Sequence, residues 1–192
     1  QKSKTPLISM VTRLAQQKGI DLLVRILDEL LEEDVQFILL GSGEPNYERS
    51  IREIEARHPD RMRAYVMFDP LLARRIYAGS DIFLMPSLFE PCGLSQMIAM
   101  RYGTLPIVRQ TGGLADTVQP YNRYDQTGNG FGFLNINAHE LLFTTKDAVQ
   151  LYNDEPVIWK KLVHQAMTGD YSWDRSAQSY EQLYRDILEE TR

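Results

Sequence analysis

Short apolar segments alternate along the chain with longer segments in which apolar residues recur at helical spacing. The apolar segments predict β-strands at residues 7–11, 35–40, 62–68, 82–85, 105–108 and 131–134. The periodic segments predict helices at residues 20–31, 47–57, 71–78, 94–102 and 113–118. Strands that alternate with helices indicate a parallel sheet covered on both faces. The pattern therefore predicts a doubly wound, Rossmann-like α/β domain.

The segment that follows the last predicted strand is predicted to be helical. Asn137 and Glu140 form an N-cap pair that opens one helix, Pro156 opens a second, and a third covers residues 173–190. Aromatic residues at helical spacing are predicted to be mostly core: Trp159, Trp173, Tyr180 and Tyr184. Because no linker separates two cores, residues 1–192 are predicted to be one domain, with a helical extension over residues 137–192.

Composition and charge exclude several classes of protein. A chain of 192 residues with 43% hydrophobic and 24% charged residues is typical of globular proteins, not of disordered or fibrous ones. Purely apolar runs such as residues 37–40 are far shorter than the roughly 20 residues of a membrane span, so no membrane partner is expected. The chain has a net charge of −5 and therefore lacks the positive electrostatic field of most nucleic-acid-binding proteins, so no nucleic-acid partner is expected.

The few metal-binding and thiol residues narrow the chemistry further. A single cysteine, Cys92, excludes an internal disulfide and a Cys-rich zinc site, and fits a reducing, cytoplasmic location. His58, His139 and His164 lack ligand spacing, so no metal is expected. The start of the chain has no initiator Met and no apolar signal core, which favours a piece of a longer protein.

Loops at the carboxyl ends of the strands are where ligands of such sheets bind. The first, residues 12–19, carries Arg13 and Lys18, a guanidinium and an ammonium that suit an anion with more than one phosphate. The second contains Gly41 and Gly43, which permit close approach of a ligand, but Asn46 stands where a dinucleotide fingerprint needs a third glycine. A solvated basic loop and a plain turn remain the alternatives for these two segments.

Two further loops, the third at residues 89–94 and the fourth at residues 111–114, add a carboxylate and backbone donors. Glu90 lies near the start of a predicted helix, where a structural N-cap role is the alternative. Thr111, Gly112 and Gly113 open another helix and form a candidate anion nest, with a tight turn as the alternative. Taken together, the four loops suit a phosphorylated ligand with a polar group positioned beside it.

Several motifs resemble bacterial glycogen synthases and plant starch synthases. They are residues 87–96 (SLFEPCGLSQ), 100–106 (MRYGTLP), 111–118 (TGGLADTV), the first loop with the two residues after it at 12–21, and the tail at 171–184. These segments cover almost the whole chain in the order and spacing of that family. The resemblance implies the C-terminal, nucleotide-sugar-binding half of a two-domain glycosyltransferase of the GT-B arrangement, with the N-terminal acceptor domain absent.

The resemblance also implies an activity. The family moves glucose from a nucleotide-glucose donor, usually ADP-glucose in bacteria, to the non-reducing end of an α-1,4-glucan, with retention of configuration and without metal or cofactor. The implied partners are therefore ADP-glucose or ADP, and an α-1,4-glucan that binds through the missing domain. The chain alone is expected to be inactive in transfer, and the choice between ADP-glucose and UDP-glucose stays open.

Residue roles follow from the matched motifs. The residues that match the family's catalytic positions are Arg13, Lys18 and Glu90. The first two would stabilise the departing diphosphate, and the carboxylate would orient the donor sugar. The residues that match donor-binding positions are Cys92, Gly93 and Leu94 for the sugar, Thr111, Gly112 and Gly113 for the phosphates, and Gly41, Gly43 and Phe68 for the nucleoside.

Two departures from related patterns sharpen the alternatives. Related transferases of this fold carry a second glutamate where Ile98 stands, which favours the glycogen synthase group over sucrose-type synthases. The family's Lys-x-Gly-Gly-Leu loop is absent from the chain, and its last helix normally packs on the missing domain, so part of that helix is expected to be exposed or repacked. A non-catalytic module that binds a nucleotide sugar is the other alternative.

Overall fold

The sheet of the computed structural model, which describes residues 5–190, is wholly parallel. Its strands are β1 (Leu7–Val11), β2 (Gln36–Leu40), β3 (Met62–Tyr65), β4 (Ile82–Met85), β5 (Leu105–Arg109) and β6 (Phe131–Phe133). They are arranged in the order β3-β2-β1-β4-β5-β6, and every neighbouring pair is parallel. The direction of winding changes between β1 and β4, so the crevice beyond these two strands is the topological switch point. The predicted doubly wound, Rossmann-like fold is confirmed.

Helices follow the strands and cover both faces of the sheet. They are α1 (Ile20–Leu30), α2 (Pro45–Arg57), α3 (Pro70–Gly79), α4 (Ser95–Arg101), α5 (Gly113–Thr117), α6 (Ala138–Asp154), α7 (Pro156–Thr168) and α8 (Trp173–Glu190). A short 3-10 helix at Gln16–Lys18 precedes α1 and was not predicted. The turn between them is at Gly19, with φ +71°, where a Cβ would lie 2.1 Å from the Pro86 carbonyl oxygen. The loop after β1 therefore contacts the chain that leaves β4.

The hydrophobic core extends from the sheet into the first two tail helices. Phe37 and Phe83 are fully buried on central strands, and Trp159 of α7 stacks on Phe131 with ring centroids 6.0 Å apart. Tyr152 of α6 meets the same indole edge-on at 5.2 Å. The helices α6 and α7 therefore belong to the same core as the sheet.

The aromatic residues of α8 do not join that core. Trp173, Tyr180 and Tyr184 are exposed, the first of them by 87%, so the prediction that they are mostly core was wrong for these three and right for Trp159. Their spacing on one side of a helix is typical of a face that packs on another surface, but it does not say whether that surface belongs to the same chain. The resemblance led us to expect that part of this helix is exposed or repacked, and the structure shows it exposed.

Two local predictions also changed. The strand predicted at 62–68 ends at Tyr65, which pairs with Leu40, the last residue of its neighbour β2. Asn137 caps α6 as predicted, its Oδ1 accepting from the amide of His139 at 2.8 Å. The Glu140 carboxylate instead accepts from Asn135, which lowers its pKa.

No helix within residues 5–190 combines the length and the apolarity that crossing a membrane requires.

Candidate functional site

The four loops singled out from the sequence meet at the carboxyl edge of the sheet. The first and second are joined by a backbone hydrogen bond from the Leu14 amide to Ser42 O at 3.0 Å. The first loop meets the start of the third, where the amide of Leu88 donates to Gln17 O at 2.8 Å. The third and fourth loops are joined by the Gly113 amide, which donates to Glu90 O at 3.1 Å. These main-chain contacts bring side chains from four different strand ends into one site.

An open cleft of about 580 Å³ lies between the loops that leave β1 and β2. Arg13 lines it, and its guanidinium is exposed and has no hydrogen bond or ion pair with residues 5–190. Phe68 lines the same cleft with 88% of its surface exposed, so its ring is free to contact a ligand. The cleft therefore offers a cation and an aromatic ring together.

Gly41 and Gly43 border this cleft, and the structure gives a further reason for them. A Cβ at Gly41 would lie 1.8 Å from Thr12 O, and one at Gly43 would lie 2.1 Å from Leu14 O. The two glycines are thus required by the neighbouring loop. Their role toward a ligand stays a prediction.

A small cavity of about 60 Å³ adjoins the cleft, at the switch point itself. In it, Lys18 Nζ lies 2.6 Å from Glu90 Oε2, and Ser87 Oγ donates to the same carboxylate oxygen at 3.2 Å. Glu90 is only 8% exposed, so this ion pair is shielded from water on most sides. Removing either partner would leave a poorly solvated charge without its counter-ion.

The alternative that Glu90 is an N-cap does not hold. The helix α4 starts at Ser95, its N-cap residue is Leu94, and no side chain caps it. The carboxylate is directed instead toward Lys18, a residue of the loop after β1. Its placement therefore needs an explanation other than helix capping.

Backbone donors lie in the loop that carries Glu90 and in the loop packed against it. Within residues 5–190, no protein acceptor is found for the amides of Cys92, Gly93 and Leu94, and Gly93 has φ +74°. In the fourth loop, the Gly113 amide is already used by Glu90 O, so that candidate anion nest is smaller than predicted. In the described part of the chain, the amides of Thr111 and Gly112 remain without a protein acceptor.

The glycines of the fourth loop are also fixed by contact with the third. A Cβ at Gly112 would lie 2.2 Å from Glu90 O, and one at Gly113 would lie 2.1 Å from Cys92 O. The two loops thus touch backbone to backbone. This contact places the two glycines against the backbone of Glu90 and Cys92, although neither they nor Thr111 line the cleft or the small cavity.

Sequence reasoning missed Ser87 and the pair formed by Tyr77 and Ser95. Ser87 lies two residues after the end of β4, and a serine just beyond the carboxyl end of a strand was the available signal. The Tyr77 hydroxyl donates to Ser95 Oγ at 3.1 Å beside the cleft, and burial raises the pKa of Tyr77.

Other parts of the described chain offer less chemistry. Among residues 5–190, no group of three or more His, Cys, Asp or Glu side chains is placed to hold a metal ion. A cleft of about 630 Å³ is lined by Asp81, Gly103 and Trp159, but it lies near the start of β4 and β5 and contains none of the predicted site residues.

Comparison with known proteins identifies the class to which this fold and site correspond. The family described as "Glycosyl transferases group 1" matches residues 1–142. The chain belongs to the glycosyl transferases group 1 family.

Its similar relatives are glycogen synthases. The chain is 54% identical over 189 residues to the glycogen synthase of Bacillus cereus (strain Q1), a match that covers 98% of this chain and 40% of that protein. It is 51% identical over 183 residues to the glycogen synthase of Geobacillus stearothermophilus, covering 95% and 38% respectively. The chain thus spans about 40% of the length of these curated relatives. The resemblance to the C-terminal glycosyltransferase domain of glycogen synthases is confirmed.

Solved structures agree with this assignment. The catalytic domain of starch synthase IV from Arabidopsis thaliana, bound to ADP and acarbose, matches with a TM-score of 0.86 and 40% identity, over 96% of this chain and 39% of that one. A sucrose-phosphate synthase from Thermosynechococcus elongatus matches with a TM-score of 0.69 at 24% identity, over 96% of this chain and 46% of that one. The second match shows the shared fold alone.

Proposed function

We propose that the chain is the donor-binding part of a glycogen or starch synthase. In this proposal, residues 1–192 form one nucleotide-sugar-binding domain with its C-terminal helices, and the acceptor domain belongs to another part of a longer protein. The whole enzyme transfers glucose from ADP-glucose to the non-reducing end of an α-1,4-glucan with retention of configuration. The observation that carries the proposal is the ion pair of Lys18 and Glu90 at the topological switch point, 2.6 Å long, in a small cavity that adjoins the cleft lined by the exposed Arg13.

The two cations are suited to a leaving diphosphate. Arg13 is unpaired within residues 5–190, so its guanidinium can bind a phosphate without first losing a partner. Lys18 stays next to Glu90 and can bridge the carboxylate and a phosphate oxygen. Preorganised positive charge stabilises the negative charge that grows on the departing ADP, and this is the role that a metal ion has in other transferases. The proposal therefore includes no metal and no cofactor.

The donor is expected to lie across all four loops. The adenine contacts Phe68 in the open cleft bordered by Gly41 and Gly43, and the phosphates meet the amides of Thr111 and Gly112. The glucose lies against the backbone of Cys92, Gly93 and Leu94, where three amides have no protein acceptor in the described part of the chain. Glu90 orients the sugar from the small cavity. The ADP-bound starch synthase of 40% identity supports the choice of adenine nucleotide.

A glucan acceptor needs a second surface opposite this one. The chain covers about 40% of the curated relatives, and α8 presents an apolar face that includes Trp173, Tyr180 and Tyr184. We expect that face to contact the remaining part of the enzyme, which also supplies the acceptor site. The chain alone therefore binds ADP but transfers no glucose to glycogen.

Calorimetric titration of ADP into the chain tests the assignment. Arg13→Ala should weaken ADP binding by more than tenfold, about 1.4 kcal/mol, because it removes the unpaired cation of the cleft. The side chain is exposed, so the fold should be unaffected.

The matched control is Arg25→Ala, which removes an exposed arginine on α1 outside the cleft. Arg13→Ala and Arg25→Ala each remove one positive charge, so the two variants have the same net charge. Equal ADP affinity in the wild type and in Arg13→Ala would rule out the phosphate assignment. Equal weakening in both variants would attribute the effect to overall charge alone.

A further inference from the structure

Gln96 is a buried polar side chain between the third and fourth loops. It is the second residue of α4, it is 0% exposed, and it lines neither the cleft nor the small cavity. Its Nε2 atom lies 3.0 Å from Gly93 O, 3.0 Å from Thr117 Oγ1 and 3.3 Å from Cys92 O. Its position outside the ligand space means that any effect on a ligand is transmitted through its partners.

The geometry assigns to Gln96 the role of a positioning residue that joins the sugar-contacting loop to the phosphate-contacting loop. An amide NH₂ has two protons, and the two shorter contacts lead to two different segments, the third loop and the helix α5 that the fourth loop opens. One reaches Gly93 in the third loop, and the other reaches Thr117 at the end of α5. This inference rests on the proposed function, which gives each loop its part of the donor.

Thr117 completes the connection. Its Oγ1 donates to Gly113 O at 2.6 Å, so its lone pairs are left to accept from the Gln96 amide. A continuous chain of hydrogen bonds thus runs from Gly93 through Gln96 and Thr117 to Gly113. The backbone contact between the loops fixes their approach, and this chain of bonds fixes their relative orientation.

The other end of the Gln96 amide is also informative. Its Oε1 is buried and has no hydrogen-bond partner among residues 5–190. The same atom would lie 2.6 Å from a Cβ at Gly93, where φ is +74°. A buried acceptor without a partner lowers stability. The hydrogen bonds that hold the side chain in place are therefore those made by its NH₂ group. Gln96 therefore stabilises a loop geometry that needs glycine at position 93.

A bridging role and a merely structural role differ in what they do to two ligands. ADP-glucose touches both loops, whereas ADP lacks the sugar that meets the third loop. Loss of the bridge should therefore weaken ADP-glucose more than ADP. A merely structural residue would lower stability and leave the ratio of the two affinities unchanged.

The test uses calorimetry of the 192-residue chain with ADP and with ADP-glucose. In Gln96→Met, which keeps the length of the side chain but removes its NH₂, ADP-glucose affinity should fall about tenfold and ADP affinity less than about threefold. The matched control is Gln165→Met on α7, since Gln165 also has a buried oxygen without a partner in the described residues. Its affinities for both nucleotides should equal those of the wild type.

Thr117→Val provides a second route if Gln96→Met fails to fold. It should reproduce the selective loss of ADP-glucose affinity, and the double variant should lose little more than either single one, since both changes break the same chain of bonds. Equal losses for ADP and ADP-glucose, or none, would overturn the inference.

Amide hydrogen exchange separates this inference from the proposed function. Gln96→Met should speed exchange at the third and fourth loops in the ligand-free chain, and Gln165→Met should not. A wild-type chain that binds neither nucleotide would contradict the proposed function, and unchanged loop exchange in Gln96→Met would then contradict the link between the loops as well.

Discussion

The loop cluster at the carboxyl edge of the sheet and the helix α8 are held in opposite ways. The loops touch one another through backbone atoms, with the Gly113 amide on Glu90 O and a shielded ion pair between two strand ends. In α8, all described side chains from Trp173 onward are exposed, although apolar residues recur along one side. The difference separates loops that this chain packs against one another from an apolar helix face that residues 5–190 leave exposed.

The largest expected effect comes from exchanging the two tryptophans of the tail for alanine. Trp159→Ala should lower the free energy of unfolding by about 3–5 kcal/mol, because it removes a large buried ring that packs on Phe131. Trp173→Ala should change it by less than about 0.5 kcal/mol, because that indole is exposed. Urea unfolding of both variants gives the values. A cost for Trp173→Ala close to that for Trp159→Ala would mean that this chain already covers α8.

A smaller effect is expected from adding one methyl group in the loop cluster. Gly113→Ala should cost about 1–3 kcal/mol and abolish ADP binding, since its Cβ would lie 2.1 Å from Cys92 O. Gly79→Ala is the matched control at the end of α3, where a Cβ meets nothing within 4 Å. That change should stabilise the chain by about 0.4–1 kcal/mol. If thermal unfolding showed equal effects for the two variants, the loops would be looser than their contacts indicate.

The smallest effect is expected from an ion pair on the surface of the folded body. Arg57 donates to both oxygens of Asp28, at 2.7 and 3.1 Å, and this hydrogen bonding, followed by that from His58, lowers the pKa of Asp28. A lowered pKa stabilises the fold above the unfolded value of about 3.9, and this contribution is lost as the pH falls through the folded value.

Because the Asp28 side chain is half exposed, the contribution should stay below about 1 kcal/mol. The unfolding free energy of the wild type minus that of Asp28→Asn should therefore shrink as the pH falls below about 4. A difference that stays constant with pH would contradict the assignment. If the unfolding free energies of the wild type and Asp28→Asn differed by several kcal/mol, surface charge and not apolar burial would be what distinguishes the sheet and its packed helices from α8.

Much of the fold could be predicted because its signals are local. Each strand is a short apolar segment, and α1 buries Ile20, Leu23 and Leu27 at the spacing seen in the sequence. The position of the site also followed from the sequence, because parallel strands bring their carboxyl ends to one edge of the sheet. The loop residues Arg13 and Glu90 could therefore be placed near each other without knowledge of their contacts.

The rest depends on contacts between distant segments. The end of β3 at Tyr65 coincides with the end of its partner β2 at Leu40, and nothing in the apolar run itself marks that point. The bridge at Gln96 and the loss of the Gly113 amide to Glu90 O arise only after two loops meet. The exposure of α8 could not be read from periodicity, because an apolar face looks the same whichever chain covers it.

The pairing of β1 with β4 has a consequence for the order of folding. Ile8 pairs with Ile82, so this central contact joins segments far apart in the chain, whereas β1 with β2 and β4 with β5 close over shorter loops. Closing a long loop early in folding is slow, and contacts of this kind tend to form late. The ion pair of Lys18 and Glu90 spans the same junction. Under the proposed function, ADP binding should therefore appear only when both halves of the sheet have joined. Affinity for ADP would then report a finished fold, and a half-assembled chain would not compete for the nucleotide.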